Sequence, residues 1–134
     1  MTITPYYPEI RFFDIDAIGH VNNTVYFTYL EMARIHFFGQ LIGKEWNWTE
    51  NGVLVAHNEI DYIKPVLFED KIAIHIQVLK VGSKSFTLGY EVKCGDTLHA
   101  KGSSVMVSFD FKNNVTSPIP EAYKGILESL VKTA

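Results

Sequence analysis

An α+β domain with a curved antiparallel sheet around one long helix is predicted by three features of this 134-residue chain. A proline-free stretch from about Asn23 to Leu41 carries apolar residues at helical spacing and nearly all the way round. Three later segments alternate apolar and polar side chains with period two, separated by the turn signals Gly82-Ser83 and Gly95-Asp96. No repeat, linker or low-complexity segment interrupts them, so residues 1–134 read as a single domain.

The first segment, Thr2 to Phe13, gathers Ile3, Tyr6, Tyr7, Ile10, Phe12 and Phe13 around Pro5 and Pro8. Those prolines confine it to an edge or an irregular strand. Asn22 or Asn23 serves as N-cap of the helix, its start open by a residue or two because no Glu or Gln stands at the capping-box position. Tyr26, Leu30, Ala33, Phe37 and Leu41 recur along that helix, and Val25, Tyr29, Met32, Phe38 and Ile42 widen the stripe. A helix so apolar is expected to be wrapped. Val53 to Ile63 reads as a strand with Ala56, Ile60 and Tyr62 in phase and Pro65 closing it. Ile72, Ile74, Ile76 and Val78 make the apolar face of the next strand, and Phe86, Leu88, Tyr90 and Val92 that of the third. Val105, Val107, Phe109 and Phe111 make that of the last, and the four strands follow one another as a meander. Ser117-Pro118-Ile119-Pro120 then introduces a short amphipathic helix with Tyr123, Ile126, Leu127, Leu130 and Val131 on one side.

A net charge of -3 and a pI near 5.9 argue against a nucleic-acid partner, which needs a basic patch. The single cysteine, Cys94, permits no intrachain disulfide and suits a reducing compartment. No apolar run is long enough to cross a bilayer and no basic leader precedes an apolar core, so a soluble cytoplasmic protein with no membrane partner is expected. His36, His75 and His99 show no metal spacing, and no metal or redox cofactor is expected.

Chemistry concentrates between Arg11 and Arg34. Two carboxylates, Asp14 and Asp16, precede a glycine turn, His20 and the asparagines that open the helix. Free N–H groups at a helix start can hold a developing oxyanion beside an acid. An EF-hand loop beginning at Asp14 would place Gly19 and Val21 correctly, but Ile18 and Val25 fall where oxygen ligands belong. A phosphotransferase with an aspartyl nucleophile requires a doubly wound parallel sheet, and this chain shows antiparallel alternation. Out of context, both acids read as acceptors for loop amides.

With their context, Asp14-x-Asp16-x-x-Gly19-His20-Val21-Asn22-Asn23, followed by Tyr26, Tyr29, Glu31, Ala33 and Arg34, resembles the signature of the hotdog-fold acyl-CoA thioesterases of the 4-hydroxybenzoyl-CoA thioesterase family. The likeness extends to Glu59-Ile60-Asp61-Tyr62 and covers nearly the whole chain. It implies a hotdog fold, with the sheet wrapped around a central helix, and hydrolysis of an acyl-CoA or acyl-carrier-protein thioester. It also implies a homodimer or homotetramer joined edge to edge. By position, Asp16 resembles the catalytic carboxylate, acting as nucleophile or general base. The Asn23 N–H matches the oxyanion donor, while His20 either contacts substrate or fixes the loop. Repulsion between the two acids would raise the pKa of one of them. Ser83, Lys84 and Ser85 resemble the turn that contacts coenzyme A, although Lys80 and Lys84 are the only cations there. The alternative implied by the same fold is a non-catalytic acyl-binding protein.

Other polar residues read more plainly. Glu31 and Arg34, three apart, are expected to pair with each other. His57, Glu59 and Asp61 share a strand face and are read as meeting solvent or a subunit contact rather than as lining a pocket. Phe27, Phe37, Trp46 and Trp48 are bulky enough to line or shorten an acyl channel.

Overall fold

The computed structural model describes residues 1–43 and 45–131. Residue 44 and residues 132–134, part of the expected domain over 1–134, lie outside the described residues. In chain order there are a 3-10 turn (Phe12–Asp14), α1 (Val25–Leu41), β1 (Gly52–Tyr62), β2 (Ala73–Val81), β3 (Ser85–Cys94), β4 (Thr97–Asp110), β5 (Val115–Thr116) and α2 (Glu121–Ser129). The strands form an antiparallel sheet in the order β1-β4-β3-β2, with β5 paired to β4. The expected meander therefore holds for β2, β3 and β4. β1 departs from it, lying at the edge beside β4. The described residues form two compact units, one gathering Met1–Phe38, Ile60–Ile76 and Tyr90–Gly102, the other built from Gly39–Glu59, Gln77–Gly89 and the chain from Ser103 onward.

In the first unit the N-terminal segment makes no regular strand. Tyr6 exchanges both backbone hydrogen bonds with Ile74, at 3.0 and 2.8 Å, and the prolines on either side, which lack N–H donors, leave that bridge isolated. The helix α1 begins where Asn22 caps it: the Asn22 Oδ1 accepts the Thr24 N–H at 3.1 Å, and its carbonyl accepts the Val25 N–H at 2.9 Å. Tyr26, Tyr29, Leu30, Ala33 and Phe37 are buried at helical spacing. Complete wrapping, however, is not what the structure has, since Phe27, Met32 and Ile35 are exposed on the same helix. Apolar composition constrains what the interior contains more strongly than what the surface lacks. Arg34 does not pair with Glu31: it is buried, and its Nη1 donates to the Tyr90 hydroxyl at 3.1 Å, while Glu31 faces outward.

In the second unit α2 presents Tyr123 and Leu127 to the interior, as its amphipathic pattern predicts. Trp46 and Phe86 meet the Tyr123 ring edge-on, and burial pushes the Tyr123 phenol up to about 12. The predicted phase of β4 is wrong in this unit. Its buried positions are Ser104, Met106 and Ser108, whereas Val105, Val107 and Phe109 are half-buried and Phe111 is exposed in the turn beyond the strand. Small hydroxyls tolerate burial when satisfied: Ser104 donates to the Asn58 side chain, and Ser108 donates to the Pro118 carbonyl at 3.2 Å.

Candidate functional site

Asp14 and Asp16 stand in the first unit on a loop folded back on itself. Ile15 bridges Val21, the Asp16 N–H donates to the His20 carbonyl at 2.8 Å, and Gly19 turns the chain at φ +84°. That conformation is why glycine is needed there. The Val21 N–H in turn donates to the Val66 carbonyl at 2.8 Å, and His20 bridges Leu67, so the loop is pinned against the segment after β1.

The two acids meet different surroundings. Asp14 is buried and fully engaged. Its Oδ2 accepts the Tyr29 hydroxyl at 2.6 Å and the Arg11 N–H at 2.9 Å, and its Oδ1 accepts from the Arg11 guanidinium at 3.3 Å. Burial pushes its carboxyl up, but the bonds from Tyr29 and Arg11 outweigh burial and hold it below its ordinary value. The expected repulsive rise is therefore absent at Asp14. Tyr29 moves the opposite way: burial and then the bond to Asp14 raise its phenol strongly, so it remains a donor.

Asp16 is half-buried, and its Oδ1 accepts the N–H groups of Ile18 and His20, each at 3.0 Å. Its Oδ2 has no hydrogen-bond partner among the described residues. One oxygen is thus anchored and the other is open to a substrate or a water.

Asp16 and His20 line a cleft of about 250 Å³ together with Val21, Asn23, Tyr26, Tyr62, Ile63, Lys64 and Pro65. Asn23 sits in the turn before α1, and its carbonyl accepts the Tyr62 hydroxyl at 2.9 Å. The Tyr62 ring stands edge-on to Tyr26, with centroids 5.0 Å apart. Burial raises the phenols of both tyrosines, keeping them protonated donors near neutrality. Three of the predicted site residues, Asp16, His20 and Asn23, are therefore brought to one cleft.

Ser83, Lys84 and Ser85 belong to the second unit. Ser83 and Lys84 stand in the turn between β2 and β3 and Ser85 opens β3; the Ser83 and Lys84 carbonyls accept N–H groups from Ile119 and Ser108 at 2.9 and 2.8 Å, and the Ser83 and Lys84 side chains are exposed. Sequence reasoning passed over Tyr62, Lys64 and Pro65 as cleft residues; the Lys-Pro pair directly after a strand was the available signal. Among the described residues no group of three or more His, Cys, Asp or Glu is placed to hold a metal, and no helix is long and apolar enough to cross a membrane.

Comparison with known proteins agrees with this architecture. Residues 10–127 match the thioesterase-like superfamily. YsmA of Bacillus subtilis (strain 168) is 33% identical over 103 residues, spanning 74% of this chain and 67% of that protein. The long-chain acyl-CoA thioesterase FadM of Escherichia coli (strain K12) is 27% identical over 131 residues, 92% of this chain and 96% of its own. A solved thioesterase from Thermus thermophilus, complexed with coenzyme A and zinc, superimposes with a TM-score of 0.81 at 32% identity, over 97% of both chains.

Proposed function

The chain belongs to the thioesterase-like superfamily, and we propose that it hydrolyses an acyl-CoA or acyl-carrier-protein thioester to free acid and thiol. On this reading residues 1–134 are one hotdog domain of the 4-hydroxybenzoyl-CoA thioesterase type, with the sheet curved around α1, and the protein works as a homo-oligomer. The observation that carries the reading is that Asp16, His20 and Asn23 line one cleft while one Asp16 oxygen is left open.

Two routes suit that geometry. In one, the Asp16 Oδ2 attacks the thioester carbonyl, the thiolate leaves and takes up a proton, and water cleaves the resulting anhydride. In the other, Asp16 takes a proton from a water as that water attacks, and the tetrahedral intermediate expels the thiol. Both develop negative charge on the carbonyl oxygen, and the backbone N–H of Asn23 is the donor proposed for it. The bond from Tyr62 to the Asn23 carbonyl restrains this turn. His20 lines the cleft as a substrate contact, and its N–H anchors Asp16. The Ser83–Ser85 turn is proposed to contact coenzyme A, with Lys84 as the only cation of the three.

The test is release of free thiol from a panel of acyl-CoA and acyl-pantetheine thioesters, with Asp16→Asn beside the unmodified chain. Loss of the carboxylate should lower kcat by about two orders of magnitude or more, with the thermal melt retained. A folded Asp16→Asn with undiminished turnover would remove Asp16 from the chemistry. No thiol release from any thioester by the unmodified chain would leave an acyl-binding protein.

A further inference from the structure

Four consecutive residues, Tyr62, Ile63, Lys64 and Pro65, line the same cleft as Asp16. A regular strand cannot do this, because successive side chains point to opposite faces. The hydrogen bonds explain the exception. The N–H groups of Ile63 and Lys64 both donate to the single carbonyl of His99, at 2.9 and 3.0 Å. Two consecutive residues facing one residue of β4 make the hydrogen-bond pattern of a β-bulge, placed here just past Tyr62, the last residue of β1, where it re-aims the chain. The His99 ring bonds the Pro65 carbonyl through Nδ1 at 3.1 Å, and His99 is itself buried. Pro65 further restricts Lys64 to extended backbone. One buried histidine thus fixes the backbone on both sides of Lys64.

The device brings a cation to the cleft. Lys64 makes no ion pair among the described residues, and it shares the cleft with the apolar surfaces of Val21, Tyr26 and Ile63. We propose that Lys64 is a specificity-determining residue. Its ammonium takes an anionic oxygen group on the acyl portion of the substrate, so the preferred class is the half-thioester of a dicarboxylic acid. The inference rests on the thioesterase reading, because it places the scissile carbonyl beside Asp16. It favours the acyl portion over the coenzyme A phosphates because Lys64 lines the same cleft as Asp16, where the scissile carbonyl would sit, whereas the length of the pantetheine arm separates the sulfur from the phosphates.

The experiment compares kcat/KM for glutaryl-coenzyme A and valeryl-coenzyme A, which share a chain length, in the unmodified chain, Lys64→Met and Lys64→Arg. The same acyl groups are also carried on N-acetylcysteamine, which has no phosphate. The expected result is a preference for glutaryl over valeryl on both carriers, reduced about two- to fivefold in Lys64→Met, as for loss of one exposed ion pair, and largely restored in Lys64→Arg. An equal fall for both acyl groups on coenzyme A alone would assign the cation to phosphate and overturn the proposal. An equal fall on both carriers, or no change in the ratio, would overturn it too. If no thioester is turned over, calorimetric titration with the two acyl-coenzyme A probes separates the questions. Tighter binding of glutaryl-coenzyme A, lost in Lys64→Met, sustains the cation's role without the hydrolase reading, and equal binding of the two refutes it.

Discussion

Asp14 and Asp16 are separated by one residue, and each is defined by what reaches its oxygens. The Asp14 carboxyl is closed off by Tyr29 and Arg11, so it is suited to holding the loop; Asp16 lines the cleft and keeps one oxygen without a partner among the described residues. The pKa of Asp14 is lowered in the folded state from an ordinary 3.8. A carboxyl of this kind contributes stability that is present above the unfolded value and lost as pH falls through the lower folded one. We therefore expect Asp14→Asn to destabilise the protein near neutrality by about 1–3 kcal/mol, the cost of disrupting a buried acceptor. The gap from the unmodified chain should narrow as pH drops below 3.8. Urea melts across that range check it, and a gap independent of pH would mean the Asp14 charge contributes nothing to folding.

The turns and strand ends show which elements the sequence exposes to reading and which it hides. Gly52, at the start of β1, is buried, and a Cβ there would stand 2.5 Å from the Trp48 carbonyl oxygen and closer still to the Phe111 ring. Backbone cannot yield as a flexible side chain does, so Gly52→Ala should destabilise the chain by about 1–3 kcal/mol. A thermal melt unchanged by that substitution would contradict the packing described. What was legible rests on period and punctuation: Ile72, Ile74 and Val78 of the first alternating segment, Phe86, Leu88, Tyr90 and Val92 of the second, and Tyr123 and Leu127 of α2 are buried as predicted. What was hidden rests on partners distant in sequence. Alternation in β4 could not say which face was inward, because Ser104 and Ser108 become suitable for burial only once Asn58 and Pro118 accept their protons. Nor could it reveal the bulge at Ile63 and Lys64, where the carbonyl of His99, far along the chain, breaks the period of two. In the candidate site, the loop from Asp16 to Asn23 was readable because motif and turn are local. The other lining segment, Tyr62 to Pro65, was not.

Strand order carries the argument to assembly. β1 ends the sheet, with β4 on one side and no strand on the other among the described residues. Positions 54 to 59 along it are all exposed, including Leu54 and Val55 at 40% each. An exposed edge of this length offers unpaired backbone groups to a second chain, and isolated proteins usually blunt such edges with proline, bulges or inward charges. Here the bulge comes only after the strand's last residue, and no proline interrupts residues 52 to 62. A second copy pairing along β1 would satisfy the backbone and cover Leu54 and Val55, so we expect a homodimer at micromolar concentration by light scattering. Val55→Lys would bring two like charges to the joined edge and should raise the dissociation constant about tenfold or more. Dissociation on dilution should lower thiol release per chain if the partner completes the cleft. A chain that scatters as a monomer at every concentration, with constant activity per chain, would show that β1 is left open and that the site is complete without a second copy.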